Sequence, residues 1–209
     1  VRALGAAAWP LAADLADEAE CRALVPAVLA RAGRLDAVVN NASHFAYDDA
    51  ASFSCAAMDA HWRANTAPAI ILAQALHDHL AEAGRSGCVV NLLDQKLANP
   101  NPDYLSYTLS KAALEAATTL LAQALAPRVR VAGVAPGVTL LSGAMSEAEF
   151  ARAHALTPLA RSSTPEDVAR AVRFVIESPA ITGTTLYVDG GQHLQPQPRD
   201  VMFLARQGA

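Results

Sequence analysis

The chain has 209 residues, 53% of them hydrophobic, and a formal net charge of −4 from 16 basic and 20 acidic side chains. That length suits one domain with a substantial core, mixed charge without a basic block argues against nucleic acid as a partner, and no apolar run is long enough to span a membrane. Three cysteines without a C-x-x-C pair, and no charged-then-apolar leader, suit a reducing cytoplasm.

In chain order, strand-like and helix-like patterns alternate, which predicts a parallel sheet with helices on both faces. Residues 1–4 read as the end of a helix, and residues 9–13 as a strand ending at Asp14. Asp17 can cap a helix that presents a Leu24/Val28/Leu29 face and stops at Gly33. Residues 35–39 form a short apolar strand, followed by a long helical stretch over 54–83. Pro68 inside it lacks a backbone donor and clashes with the carbonyl of Ala64, so a bend is expected there. His77 and His79 in this stretch point to different faces, and no metal site is expected. A strand at 87–92, a helix at 104–126 and a strand at 129–134 come next. Residues 139–163 read as an irregular, lid-like segment. Thr164-Pro-Glu-Asp then opens a helix with a cap, a proline at its first position and an acidic first turn. Residues 184–188 close the sheet. The stretch Gln195-Pro-Gln-Pro-Arg-Asp200 is extended, because its prolines continue neither a helix nor a central strand.

Chemistry concentrates around Tyr107-Thr-Leu-Ser-Lys111, which stacks a phenol and an ammonium on one helix face. An ammonium nearby favours the phenolate and brings the phenol closer to useful proton transfer near neutral pH. Asp94 follows the apolar run Cys88-Val-Val-Asn-Leu-Leu93, where its carboxyl can bond the Tyr107 hydroxyl and share its proton. The turn Asn40-Asn-Ala-Ser43 stands at the carboxyl end of a strand, where ligands bind in open α/β sheets. Its alternative reading is a plain strand-ending turn. Phe45 either stacks on a flat ligand or fills the core.

Taken in order and spacing, Asn40-Asn-Ala-Ser43, Asn65, Tyr107-x-x-x-Lys111, Pro136-Gly137 and Val188-Asp-Gly-Gly191 resemble the short-chain dehydrogenase/reductase family over nearly the whole chain. Most of that family has serine where this chain has Asp94. Aspartate there, together with Asn40-Asn-Ala-Ser-His-Phe45, resembles the pteridine reductases. The resemblance implies a single Rossmann-like α/β domain with a doubly wound parallel sheet. It also implies NADPH as cofactor (NADH being the alternative), a pterin as substrate and a homotetramer. Asp94, Tyr107, Lys111 and Asn65 are its implied catalytic residues, with Asn65 at a helix break that serves a proton relay. Asp14 is implied at the adenine ring with Leu15 beside it, unless Asp14 is only a helix-capping residue. Asn40, Asn41, Ala42, Ser43 and Lys111 are implied at the ribose, and Pro136, Gly137 and Thr139 at the nicotinamide. Phe45 and Ser43 would hold the substrate against Asp94 and Tyr107. The extended segment around Arg199 is implied to reach a neighbouring subunit; a loose surface tail is the alternative.

A doubly wound sheet has strand order 3-2-1-4-5-6 and a glycine-rich loop after its first strand. No such loop precedes Asn40, so the first two strands are expected to be absent from this sequence, leaving the strands at 9–13 and 35–39 without the partners between them. The sequence is therefore expected to be a piece of a longer protein, the alternative being a truncated gene product. The expected reaction is hydride transfer to an electron-poor C=N bond, with Tyr107 alone or paired with Asp94 delivering the proton. Reduction of a ketone, sugar or acyl carbonyl is the alternative within the family. A non-catalytic structural or regulatory subunit is the alternative outside it.

Overall fold

The computed structural model describes residues 5–141 and 145–207. Four parallel strands, β1 (Ala37–Asn40), β2 (Gly87–Leu92), β3 (Val129–Pro136) and β4 (Thr185–Val188), lie side by side in chain order. The register sets Val39 beside Val90, Val90 beside Ala132 and Gly133 beside Thr185. β2 and β3 read as continuous apolar runs because helices cover both their faces. Alternation of side chains sorts them into two cores. Val89 and Val131 face Leu76 and Leu80, while Cys88, Val90, Ala132 and Val134 face Val175. The helices that supply these partners are α3 (Ala67–Glu82) and α6 (Pro165–Glu177). The sheet is thus the predicted parallel, Rossmann-like one.

α1 (Glu18–Ala32) begins where the Asp17 carboxylate accepts from the amides of Ala19 and Glu20 at 2.8 and 3.1 Å, and ends at Gly33 in the left-handed region (φ 72°). Its buried line is Cys21 and Val25, with the expected Leu24 and Leu29 flanking it. The helical stretch over 54–83 is not merely bent. It divides at Thr66 into α2 (Cys55–Asn65) and α3, with Pro68 in the first turn of α3. The Thr66 hydroxyl donates to the Ser110 carbonyl at 2.8 Å, which ties the break to α4 (Leu105–Ala124). α6 carries the predicted cap, with reciprocal bonds between Thr164 and Asp167.

Three expectations are corrected. The strand at 9–13 does not form; residues 6–14 have no regular secondary structure, and Trp9 is 51% exposed. An apolar extended segment becomes a strand only where a neighbour accepts its backbone bonds, and β1 is paired on the β2 side alone. Within the segment expected to be irregular, α5 (Glu147–Ala155) forms behind a capping box in which Ser146 and Glu149 bond each other's backbone amides. The stretch at 195–200 bends at Gln195, Pro198 and Arg199, and after it Asp200 starts a further helix, α7 (Val201–Gln207), which packs on α5. Residues 1–4 and 142–144, parts of the expected first helix and lid, lie outside the described residues. Among the described residues no helix is long and apolar enough to cross a membrane.

Candidate active site

The carboxyl ends of the parallel strands open on a cleft of about 760 Å³, the usual ligand position in such sheets. Asn41, Ser43, Asp94, Tyr107, Lys111 and Gly137 all line it. Tyr107 and Lys111 reach it from one face of α4 and are 8% and 3% exposed. Asp94 arrives from the end of β2, one residue beyond Leu93, and opens the 3₁₀ turn Gln95–Ala98. Both of its carboxylate oxygens are engaged. The Tyr107 hydroxyl donates to Oδ2 at 2.7 Å, and the Lys96 amide donates to Oδ1 at 2.8 Å.

This geometry forms the expected Asp94–Tyr107 bond and corrects the expected role of charge. Lys111 Nζ donates to the Leu92 carbonyl at 2.7 Å and lies 5.8 Å from the Tyr107 ring centre. Burial pushes the Tyr107 phenol well above its ordinary value, and the Asp94 charge pushes it further. Burial also raises Asp94, against the hydrogen bonds from the Lys96 amide and Tyr107. It lowers Lys111 to about 8. Desolvation outweighs the neighbouring ammonium here, so the phenol holds its proton rather than releasing it.

The loop after β1 is clamped to α4. Asn65, at the end of α2, accepts from the His44 amide at 2.6 Å and from the Ser43 hydroxyl at 3.3 Å. It donates to the His44 carbonyl at 3.0 Å and to the Ser110 hydroxyl at 2.9 Å. The His61 ring accepts from the Ala46 amide at 3.3 Å, which leaves its Nδ1 to donate to the Ala57 carbonyl at 2.7 Å. Phe45 is 43% exposed, so it does not fill the core. Its ring stacks on Tyr104 at 4.3 Å and meets Tyr107 edge-on at 4.7 Å.

Tyr104, in the left-handed region, gives the first turn of α4 no side-chain cap. Asp48 caps it from across the loop, accepting from the Ser106 amide at 2.9 Å and from the Ser106 hydroxyl. Asp48→Ala is expected to cost about 2 kcal/mol of stability, because it removes a helix cap and leaves buried Ser106 donors unpaired. Urea unfolding would read this directly, and a loss below about 0.5 kcal/mol would mean that water replaces the cap.

Pro136, Gly137 and Thr139 line the cleft from the end of β3. A Cβ on Gly137 would come closer than 3 Å to Ser162, Gln192 and Asp189, so only glycine lets these segments approach. Thr139 donates to the Gly137 carbonyl at 2.9 Å and shares a 2.7 Å hydrogen bond with Ser163.

Six expected positions lie off the cleft wall: Asn65 and Phe45, whose contacts are given above, and Asp14, Leu15, Asn40 and Ala42. Asp14 is exposed and accepts from the Ala16 amide at 2.9 Å, while its own amide bonds Glu20. Leu15 packs against the Cys21–Val25 core. Neither Asp14 nor Leu15 lines the cleft. Asn40 turns into the sheet and donates to Asn91 at 2.8 Å. Ala42 is exposed between the lining residues Asn41 and Ser43. Sequence reading missed Tyr104, Ser110 and Lys96.

Residues 1–193 match a family model described as enoyl-(acyl carrier protein) reductase. Among solved structures, FolM alternative dihydrofolate reductase 1 from Brucella canis, complexed with NADP, is 40% identical with a TM-score of 0.88, covering 95% of this chain and 78% of that one. Pteridine reductase 1 of Leishmania tarentolae is 35% identical over 197 residues, 83% of this chain and 68% of the relative. A protein named as ketoacyl reductase 2 of the granaticin polyketide synthase in Streptomyces violaceoruber is 36% identical over 190 residues, 87% of this chain and 76% of its own length.

Proposed function

Because the chain belongs to the short-chain dehydrogenase/reductase family, on its pteridine-reductase-like branch, we propose that it is an NADPH-dependent reductase of a pterin or dihydrofolate-like C=N bond. The observation that carries this reading is the 2.7 Å bond from Tyr107 to Asp94. A ring nitrogen that becomes N–H must receive a proton, and a buried phenol bonded to a carboxyl group is a source for one.

The cleft suits a nicotinamide cofactor. Gly137 lies on its wall, and Lys111 offers a buried cation beside exposed Asn41 and Ser43. These residues, with Pro136 and Thr139, would hold the cofactor, which supplies the hydride when bound. The chain's own residues do the rest. Tyr107 gives its hydroxyl proton to the substrate nitrogen, and Asp94 returns a proton to the phenolate through their shared hydrogen bond. Lys111 balances the charge left on the pair. Asn65 holds the Ser43–His44 backbone, and so the loop that carries Phe45, beside α4. Phe45 offers an exposed ring face next to Tyr107 for a flat heterocycle. Leu109, Leu120 and Trp62, exposed on the packed helices α2 and α4, suit self-association. We take the assembly to be a cytoplasmic homotetramer, which analytical ultracentrifugation tests.

The deciding experiment is NADPH oxidation by the purified protein with dihydrobiopterin, dihydrofolate and a panel of ketones. Pterin-dependent oxidation supports the reading, and oxidation with ketones alone overturns it. Carbonyl reduction is the second reading, favoured by the likeness to the granaticin protein. It expects Asp94→Ser to preserve or improve carbonyl turnover. Phe45→Ala is expected to raise KM for the pterin about three- to tenfold, the worth of one lost aromatic contact, with kcat little changed. Unchanged pterin kinetics would take Phe45 out of the site.

A further inference from the structure

Behind Asp94 lies a second group of charges that the proton-delivery scheme does not use. Lys96 is only 4% exposed, and it spans two carboxylates. Its amide donates to Asp94 at 2.8 Å, while its ammonium donates to the Asp103 carbonyl at 2.5 Å and pairs with Asp200 at 3.3 Å. Asp103 in turn holds the segment that bears Asp200. It takes three bonds from the Arg199 guanidinium, two at 2.8 Å and one at 3.1 Å, and one from the Asp200 amide at 2.7 Å. Asp200 also accepts from the Met202 amide at 3.1 Å as α7 begins, and the Tyr104 hydroxyl donates to Met202 Sδ at 3.2 Å. α7 is held to α5 by a 2.8 Å bond from Arg152 to the Ala205 carbonyl and by the Arg206–Glu149 pair. Arg199 therefore serves its own chain's Asp103 in this structure, and residues 199–207 grip the stretch between Asp94 and Tyr107.

We propose that Lys96 and Asp200 are positioning residues for the Asp94–Tyr107 pair: their part-buried ion pair fixes the place and the charge of Asp94 from behind the cleft. The effect on catalysis rests on the function proposed above; the effect on Asp94 rests on the contacts alone.

Four groups face Asp94. Tyr107 and Lys111 come from α4, Lys96 from the 3₁₀ turn and Asp200 from the segment before α7. Lys111 favours the carboxylate, and Asp200 disfavours it. Lys96 cancels much of the Asp200 charge by pairing with it. Neutralising either member of the pair therefore leaves Asp94 with more of the other's charge, against an unchanged background of Lys111, Asp103 and Arg199, and the two changes have opposite signs. Asp200→Asn shifts the balance toward the ammonium and favours the Asp94 carboxylate. Lys96→Met shifts it toward the carboxylate and favours the protonated acid. A role confined to packing predicts no such reversal, since Asn caps a helix as well as Asp and Met fills much of the lysine stem.

The test is an NMR titration of the Asp94 carboxyl in aspartate-labelled protein, with Asp94→Asn assigning the resonance. The midpoint should fall in Asp200→Asn and rise in Lys96→Met, each on the order of one pH unit, and Lys96→Arg should return it toward the parent. The pH profile of kcat should move in the same directions. A midpoint that stays put, or moves the same way in both variants, overturns the proposal. If Lys96→Met does not fold, the direction in Asp200→Asn decides alone. Opposed midpoints in a protein without pterin turnover would sustain the positioning role and refute the proposed function. Pterin turnover with unmoved midpoints would do the reverse.

Discussion

Tyr107→Phe is expected to lower kcat for pterin reduction about a thousandfold, within the range found when a positioned general acid is removed. The substitution takes away one oxygen and little else. The ring keeps its edge contact with Phe45 at 4.7 Å and its place beside Lys111 at 5.8 Å. Cofactor affinity is accordingly expected to change by no more than about threefold, roughly 0.6 kcal/mol. Steady-state kinetics together with NADPH titration by fluorescence separate the two effects. A loss below about tenfold, well short of general-acid catalysis, would mean that the substrate takes its proton from elsewhere. A parallel collapse of NADPH binding would mean that the hydroxyl organises the cleft.

Asp94→Asn should act chiefly on pH dependence. Burial holds the Asp94 pKa above the ordinary carboxylate value of 3.8. Below that raised pKa the pair carries a spare proton that can return to Tyr107, and above it the spare proton is gone. Reduction is therefore expected to slow as pH rises through the raised Asp94 pKa, by at most about tenfold per unit for a single group. The asparagine variant should lose this limb and give a low, flat profile, with kcat down about a hundredfold. A profile of unchanged shape with only a uniform loss of affinity would remove Asp94 from proton delivery. Stability carries the same sign. An acid whose pKa is raised by folding contributes stability that is fully present below its unfolded value and lost as pH rises through its folded one. Thermal melts should thus favour the asparagine variant, relative to the parent, more at neutral than at acid pH.

What the sequence revealed depended on how local each cause is. β2 was readable residue for residue, because Gly87–Leu92 is an apolar run between turn residues. α6 was readable because Thr164, Pro165 and Asp167 make a complete local start signal. The meeting of Asp94, Tyr107 and Lys111 followed from one helix turn and one strand end. Strand formation at residues 9–13 was misjudged because an extended pattern says nothing about who pairs with it. α5 carried its own signal in Ser146-Glu-Ala-Glu149, hidden among the turn-forming residues around it. α7 had no comparable signal, since Asp200 owes its position to Asp103 and Lys96, partners 97 and 104 residues away in sequence. The charge state of Tyr107 was misjudged for a related reason. Spacing shows a lysine one turn away but not how much water the fold removes.

The side-by-side order of the four strands also bears on how the protein comes into being during synthesis. Of the described strands, β2, β3 and β4 each pair with the one made just before it, so this part of the sheet can grow in step with the emerging chain. The site does not mature on the same schedule. Asp94 and Tyr107 stand 13 residues apart and can meet once β2 and α4 are packed. The buried ammonium of Lys96 must wait for Asp200, made 104 residues after it. Every residue that lines the cleft, up to Glu177, is therefore made before the counter-charge of Lys96.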